Sequence, residues 1–409
     1  MGKASREKRR ADRKRGVEWV ATDAARDAQR RRRHSIEHVP GHPFLRVEVE
    51  LKLRRLVEDM AIALEQGGSR REAAQHYAPL AVFGGMGIEP PYEDVSRIAS
   101  DLLDDEADTL ATGELFVVSP SMQRVTVAAA QTLTALDVAT LRAEDDMPAP
   151  AGVLVLSEPL VVRGRDGGLS DLRGFAWKPS RTFLGAPAEW APGVRITDFL
   201  DAHGPVQAEA FQSVLFASRA RGRPLPLLVP DQRFGLRTDG FAKGADDEWR
   251  ATELQIHRDR SARLAEIAKE GIAAHHHDDA TVSASYEGGV IQDDDRDFTP
   301  RFLFAFWRLC QQRIPAIARY GDEPGTAGVS APMADTRIVQ LRGWDATRSD
   351  PKRQARGRQY THRWVVRMHK VRQWYPSEGV HKIIWRGPYI KGPDGALLLD
   401  GDKVHALVR

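Results

Sequence analysis

Charge is segregated along this chain of 409 residues, and the segregation limits which segments can build a core. Residues 1–33 carry a net charge of +8 and residues 336–409 carry +10, whereas residues 34–335 between them carry −15. The formal net charge of the whole chain, +3, conceals this pattern. Blocks of like charge repel one another and often serve as interaction segments. We therefore expect the basic ends to meet a polyanion or to dock on the chain's own acidic middle.

Composition places the chain among soluble globular proteins. It is 42% hydrophobic and 29% charged, and its length favours two or more structural units. The single cysteine, Cys310, excludes an internal disulfide. No apolar run approaches the roughly 20 residues of a membrane helix, and the charged N-terminus lacks the apolar segment of a secretory signal. The sequence predicts a cytoplasmic protein without a membrane partner.

Four segments follow from charge and composition. Residues 1–40 have no consistent apolar face and are predicted to be a basic tail, disordered or helical. Residues 41–320 are predicted to form an acidic α+β domain. Residues 321–335 have the Gly, Pro, Ala and Ser content of a linker. Residues 336–409 are predicted to form a small basic β-rich unit.

Within the acidic segment, the hydrophobic pattern predicts a mixture of helices and sheet. Residues 45–53 alternate as in a strand, but residues 53–64 step at helical spacing, so we predict a helix there. Three apolar runs, 153–156, 160–162 and 172–177, are separated by turn residues such as Gly164 and Gly167-Gly168 and are predicted to be strands. Thr299-Pro300 opens the most apolar helix of the chain, since proline suits the first helical position, and we expect that helix to be core. The fold class predicted is α+β, without a regular β-α-β repeat.

Cations and aromatic rings are interleaved in the C-terminal stretch. Between Lys352 and Lys391 there are eleven Lys/Arg and a single acidic residue, Glu378. The aromatic residues interleaved with them include Trp364, Trp374, Tyr375, Trp385 and Tyr389. Lysine and arginine neutralise phosphates while flat rings stack on bases, so this composition favours a surface for DNA or RNA.

Individual roles can be assigned within this stretch. The predicted phosphate contacts are Arg363, Arg367, Lys370, Arg372 and Lys391. The rings predicted to stack or to support are Trp374, Tyr375 and Trp385. The predicted polar contacts are His369, Gln373 and His381.

A hairpin is the expected geometry for these residues. If residues 362–375 form one strand, Arg363, Arg367, His369, Gln373 and Tyr375 share one face, and the opposite face carries Trp364 and Trp374. A five-residue connection, 376–380, would place His381 opposite Tyr375 and beside Gln373.

An enzyme is the first alternative. His369, Tyr375 and His381 could form the acid/base machinery of a nuclease or nuclease-type toxin, but the predicted register leaves His369 about 20 Å from His381, which favours binding over catalysis. The sequence offers several candidates for metal chemistry. They are His275-His276-His277-Asp278-Asp279, the triplet Glu50-Leu51-Lys52, and three short acidic runs, Glu144-Asp145-Asp146, Asp246-Asp247-Glu248 and Asp293-Asp294-Asp295. None has a supporting partner in sequence, so no metal site and no cofactor are predicted.

A resemblance accompanies these residues. The pattern Trp364-x-Val366-x-x-His369-x-x-x-Gln373-Trp374-Tyr375, then His381 and Trp385, closing with Pro388-Tyr389-Ile390-Lys391-Gly392-Pro393, is similar to a C-terminal signature of uncharacterised proteins from phages, plasmids and integrated elements of high-GC Gram-positive bacteria, the actinobacteria. Those relatives usually carry Gly-His-Trp where this chain has Met368-His369-Lys370. The resemblance covers the C-terminal part of the chain and implies a mobile-element context with no established activity.

Together these observations predict a non-catalytic nucleic-acid-binding accessory protein of a phage or mobile element. The nuclease described above is one alternative. A second alternative is a structural or protein-interaction role without nucleic-acid affinity, in which the basic C-terminal face would pack against the acidic middle or against a protein partner.

Overall fold

The computed structural model describes residues 20–65, 94–185, 188–241, 246–270, 280–312, 315–319, 336–341, 364–366, 369–375, 379–386 and 389–392. The helices in these ranges are α1 (Ala21–His38), α2 (Pro43–Glu65), α3 (Val95–Thr112), α4 (Pro120–Ala130), α5 (Ala135–Val138), α6 (Ala143–Asp146), α7 (Glu209–Ala220), α8 (Asp247–Glu270) and α9 (Phe298–Cys310). The strands are β1 (Glu114–Val118), β2 (Gly152–Gly164), β3 (Leu169–Gly185), β4 (Ala188–Asp201), β5 (Val206–Gln207), β6 (Leu228–Arg237), β7 (Thr281–Val282), β8 (Val290–Asp293), β9 (Pro315–Arg319), β10 (Thr336–Leu341), β11 (Trp364–Val366), β12 (His369–Tyr375), β13 (Val380–Arg386) and β14 (Tyr389–Lys391).

The main sheet is mixed. Its strand order is β6-β4-β3-β2-β1-β10-β9, and β8 pairs with the far end of β2. Strand β1 runs parallel to both β2 and β10, whereas β2, β3, β4 and β6 form an antiparallel series. Helices combined with a mixed sheet confirm the predicted α+β fold class.

Helices cover both faces of the sheet, and the sequence of β1 shows why. Its last four residues, 115–118, are all apolar, so both faces of the strand must be buried. Leu115 and Val117 pack with residues of α1 and α3, while Phe116 and Val118 pack with residues of α4 and α9. The result is a three-layer arrangement with a hydrophobic cluster on each side of the sheet.

Helix α9 lies in the larger of these clusters. Aromatic pairs join it to the sheet, with ring centroids 5.0 Å apart for Phe175 and Phe302 and 5.5 Å apart for Trp177 and Trp307. The helix begins at Phe298, one residue before the predicted Thr299. Its predicted place in the core is confirmed, because Phe302, Leu303 and Trp307 are fully buried.

Helix α2 resolves the conflict between strand and helix patterns at residues 45–53. Leu45, Val49 and Leu53 recur every fourth residue and are buried against α3, whereas Val47 is exposed. Both periods fit the first few residues, but only the helical period keeps the apolar residues on one face over the whole segment.

The basic N-terminal segment contributes a structural helix. Residues 21–38, which the sequence assigned to a disordered or helical tail, form α1 and pack on α3 and the sheet. Arg32 is buried and donates to the carbonyl oxygens of Ala111 at 2.7 Å and of Gly113 at 3.1 Å. These carbonyls lie at the C-terminal end of α3, where intrahelical donors are lacking, so the guanidinium group satisfies them.

Strand β10 lies inside the main sheet between β1 and β9, although the division by charge placed residues 336–341 in the C-terminal unit. Ile338 and Val339 are buried there. Beyond β10, the described residues of the C-terminal segment form two short antiparallel ladders, β11 with β14 and β12 with β13. Over the described ranges, no helix has the length and apolar character needed to cross a membrane.

Candidate nucleic-acid interface

The two C-terminal ladders keep a common register. Trp364 pairs with Lys391 in the β11–β14 ladder, and His369 pairs with Arg386 in the β12–β13 ladder. His369 is five residues after Trp364, and Arg386 is five residues before Lys391, so both ladders fit one register. We refer to strands β11 to β14 together as the C-terminal ribbon. In these strands cationic residues alternate with apolar or aromatic ones. Because successive side chains of a strand point to opposite faces, this alternation favours a two-stranded ribbon with two different faces.

The register differs by one residue from the predicted hairpin. Tyr375 pairs with Val380 and Trp374 pairs with His381, so the connection between the strands has four residues, 376–379, instead of five. A shift of one residue moves every side chain of one strand to the other face relative to its partner. His381 therefore shares a face with Trp374 and not with Tyr375 or Gln373.

One face of the ribbon carries an exposed aromatic and cationic cluster. The indole of Trp374 and the imidazole of His381 have ring centroids 4.8 Å apart and planes inclined by 52°. Trp374 is 48% exposed, and Arg372, two residues earlier on the same face, is also exposed, as is His381. We call these three residues the Trp374 cluster.

Exposure changes along the ribbon. At the β11 end, which lies near α4, Trp364 and Val366 are half-buried. Toward the connection between β12 and β13, Arg372, Trp374 and His381 are exposed. The ribbon is therefore anchored on the main domain at one end and presents the Trp374 cluster to solvent at the other.

The remaining predicted contact residues lie at defined positions or outside the described ranges. His369 is exposed and pairs with Arg386, and Lys391 is exposed and pairs with Trp364. Lys370 pairs with Trp385, and Gln373 pairs with Lys382. Arg363 and Arg367 lie outside the described residues.

The three residues of the catalytic alternative are not brought together by the ribbon. Strand alternation assigns the positions of His369 and Tyr375 to one face and that of His381 to the other. His369 is also five residues from Trp374, the partner of His381, which corresponds to roughly 17 Å along the strand. A histidine pair acting on one phosphate needs both imidazoles within hydrogen-bond reach of it.

One carboxylate in each of the three acidic runs has a structural partner. Asp293 accepts from the backbone amides of Asp297 and Phe298, both at 3.1 Å, and so supports the first turn of α9. Asp246 accepts from the amide of Trp249 at 2.8 Å at the start of α8. Asp146 accepts from the amide of Arg142 at 2.8 Å. All three acidic runs thus supply residues that satisfy free amides at helix starts.

The Glu50-Leu51-Lys52 triplet is likewise engaged elsewhere. Glu50 accepts from the Ser96 hydroxyl at 2.7 Å, while Lys52 pairs with Asp231 at 3.2 Å. His275, His276 and His277 lie outside the described residues. Among the residues that the structure describes, no group of three or more His, Cys, Asp or Glu could hold a metal ion.

Burial makes Cys310 a weak nucleophile. The thiol lies in α9 beside the main core cluster, and burial raises its pKa to about 12, with Arg337 acting in the opposite direction. Because the thiolate is the reactive form of cysteine, a pKa this high argues against nucleophilic catalysis by Cys310.

A group of charged residues between α3 and the main sheet was not predicted from the sequence. Glu106 is fully buried and accepts from Arg233 Nε at 2.8 Å and from the Thr197 hydroxyl at 2.9 Å. The adjacent Asp105 pairs with Lys178 and with Arg195, whose pKa burial and the neighbouring Arg233 lower to about 10. Glu106 lies four residues after Leu102 and three after Leu103, so it shares their face of the helix. This spacing in the sequence could have indicated that Glu106 faces the core.

A second buried ionic group fixes α1 on the sheet. Arg31 donates to Asp27 at 2.8 Å and to Asp201 at 3.1 Å, and Arg173 donates to Asp27 at 3.3 Å. Burial, followed by the nearby Asp201 carboxylate, raises the pKa of Asp171 in this region to about 8. Asp171 accepts from the backbone amide of Val206 at 3.1 Å. The two arginines are paired with Asp27 and Asp201, so we assign that ionic group to holding α1 in place and not to ligand binding.

Comparison of the chain with protein-family models, with curated proteins and with solved structures finds no match. Among the residues that the structure describes, the Trp374 cluster brings an exposed indole, an exposed imidazole and an exposed guanidinium group together on one face.

Proposed function

We propose that this protein binds nucleic acid through the C-terminal ribbon, as a non-catalytic accessory protein of a phage or mobile element. The observation that carries the proposal is the solvent-exposed pairing of Trp374 with His381 beside Arg372. The mobile-element context rests on the resemblance of the C-terminal signature.

The chemistry of the cluster suits a polyanion with aromatic bases. Arginine contacts phosphate through a planar, permanently charged group, and an indole ring stacks on bases of any sequence. Imidazole adds a hydrogen bond and, when protonated, a second positive charge. A basic net charge of +10 over residues 336–409 supplies the long-range attraction that brings a polyanion to this end of the chain.

The exposure of the cluster favours an external partner over the chain's own acidic middle. In the structure, Trp364 and Val366 at the end of the ribbon near α4 are half-buried, and the three residues of the Trp374 cluster are exposed. If the basic face served to neutralise the acidic middle, burial of Arg372 and Trp374 against it would be expected.

Salt-dependent binding tests the proposal. We would titrate full-length protein into fluorescently labelled DNA and RNA at several salt concentrations and inspect the substrates on gels afterward. Each phosphate contact contributes about one unit to the slope of log affinity against log salt. We expect Arg372→Glu to weaken binding and to reduce that slope by about 1.

The matched control is Arg219→Glu, which makes the same charge change at an exposed arginine of α7. Equal effects of the two variants would show that only net charge matters and would overturn the assignment to the ribbon. Absence of binding by the unaltered protein would favour the interaction-protein alternative. Shortened substrate would favour the nuclease.

A further inference from the structure

We infer that the ribbon's preferred ligand is single-stranded nucleic acid, with Trp374 as a stacking platform for an unpaired base. This inference rests on the proposed function and names the substrate class of the same site. It follows from the exposure of the three residues of the Trp374 cluster and from the ring geometry of Trp374 and His381.

The indole of Trp374 is partly exposed to solvent. Nearly half of the residue is exposed, at 48%. Its neighbour across the strands, His381, is inclined by 52° to the indole plane and so does not lie flat over the ring. The two rings therefore do not stack flat on each other, and the exposed part of the indole is the area onto which we expect another flat ring to stack.

Arg372 is placed to serve the same strand of nucleic acid. It lies two residues before Trp374 on one face of β12, which corresponds to about 7 Å along the strand. A long guanidinium side chain at that distance can reach a phosphate next to a base stacked on the indole. Stacking platforms with a cation alongside are the usual means of holding single strands without sequence preference.

A duplex exposes fewer base faces on which Trp374 could stack. In a double helix both faces of each base are covered by neighbouring base pairs, so an indole can stack only if a base is first unstacked at a cost in free energy. A two-stranded ribbon can also enter the major groove, where polar side chains read the base edges. Here the centre of the exposed face is an indole, which carries one N–H donor and no acceptor, so it is poorly suited to reading base edges.

The experiment compares one sequence in two states. We would measure the affinity of the full-length protein, by fluorescence anisotropy, for a labelled strand of about 20 nucleotides and for its blunt duplex at the same salt concentration. We expect the single strand to bind roughly ten-fold tighter. Trp374→Ala should weaken single-strand binding roughly ten-fold and change duplex binding by less than about two-fold.

Two further variants separate stacking from other causes. Trp374→Phe keeps a smaller ring and should retain part of the preference. Phe216→Ala removes the most exposed large aromatic side chain of α7, which is 78% exposed, and should leave both affinities unchanged. Circular dichroism of each variant checks that the fold is retained.

The outcomes distinguish this inference from the proposed function. Equal or tighter duplex binding, or an equal loss for both ligands in Trp374→Ala, would overturn the single-strand inference and leave nucleic-acid binding intact. A Phe216→Ala loss as large as that of Trp374→Ala would also overturn it. No binding to either ligand at low salt would overturn the proposed function itself.

Discussion

Glu106 on α3 and Arg233 on β6 form an ion pair inside the protein, with the Glu106 carboxylate fully buried and 2.8 Å from Arg233 Nε. The pair joins a helix to a strand that lies at one end of the sheet order, and its members are 127 residues apart in sequence. Removing one partner of a buried pair leaves an uncompensated charge, which costs more than the pair contributes.

Glu106→Ala should therefore be among the most destabilising single substitutions in the chain. We expect a loss of about 3–5 kcal/mol in the free energy of unfolding, measured by urea denaturation. Glu37→Ala, at an exposed position of α1, is the control and should cost less than about 0.5 kcal/mol. The double variant Glu106→Leu with Arg233→Met should lose less than the sum of the two single variants. Strict additivity would contradict the pairing.

Asp198 gives a prediction for pH dependence. Burial, then the neighbouring Asp231 carboxylate, raise the pKa of Asp198 to about 8, while its two oxygens accept from Gln232 N at 2.7 Å and from the Thr299 hydroxyl at 2.8 Å. In the unfolded chain the group titrates near 3.8. Between these two values the folded state holds a proton that the unfolded state releases, so rising pH lowers the free energy of unfolding.

Asp198→Asn should remove this contribution. The amide oxygen can still accept from Gln232 N, and the amide N–H can donate to Thr299, so the packing is conserved. We expect the variant to lose less stability than the unaltered protein when the urea midpoint is compared at about pH 5 and about pH 8. Asp294→Asn, an exposed neighbour of the α9 start, is the control. An unchanged difference between the two pH values would show that Asp198 is ionised in the fold.

Arg32 should be sensitive to conservative replacement. Its guanidinium group bridges carbonyls of Ala111 and Gly113 that a single ammonium group cannot satisfy with the same geometry. We expect Arg32→Lys to lower the free energy of unfolding by about 1–3 kcal/mol, measured by thermal or urea unfolding. Arg33→Lys, at the next and exposed position, should have no measurable effect. Equal effects would mean that the charge of α1, and not the carbonyl contacts, matters.

Gly152 tests the packing at the start of β2. A methyl group added there would overlap the ring of Trp177, which is fully buried and donates to the Ala149 carbonyl at 3.0 Å. Gly152→Ala should therefore destabilise the fold by about 1–3 kcal/mol through overpacking, with a shift in tryptophan fluorescence. Gly289→Ala, where an added methyl meets nothing within 4 Å, is the control. A neutral Gly152→Ala would show that the Trp177 ring can move.

Local pattern was sufficient for several elements. The apolar helix α9 and the mixed α+β character were readable because burial of one face imposes a period on the sequence. The exposed Trp374 and Arg372 of the candidate interface were also among the predicted contact residues. Helix α2 follows the same rule. Apolar residues stand at every second position of 45–53, as in a strand, but the buried ones, Leu45, Val49 and Leu53, recur at the helical spacing of four.

The register between strands could not be predicted from the local sequence pattern. The one-residue difference in ribbon register followed from a connection of four residues instead of five, and the hydrophobic alternation fits both. The change moved His381 from the side of Tyr375 to the side of Trp374, which altered the composition of the candidate site. Loop length sets hairpin register, and the Pro376-Ser377-Glu378-Gly379 sequence permits more than one turn.

The sequence by itself determined where apolar faces lie, which segments are basic, and which cations and rings could meet a nucleic acid. The tertiary structure decided which of them meet each other. It placed β10 inside the main sheet and set Trp374 beside His381. It also gave two arginines of the basic segment internal partners, since Arg31 pairs with Asp201 and Arg32 donates to the Ala111 carbonyl. The physical reason is that periodicity records only whether a residue is buried, whereas partners depend on contacts between segments far apart in the chain.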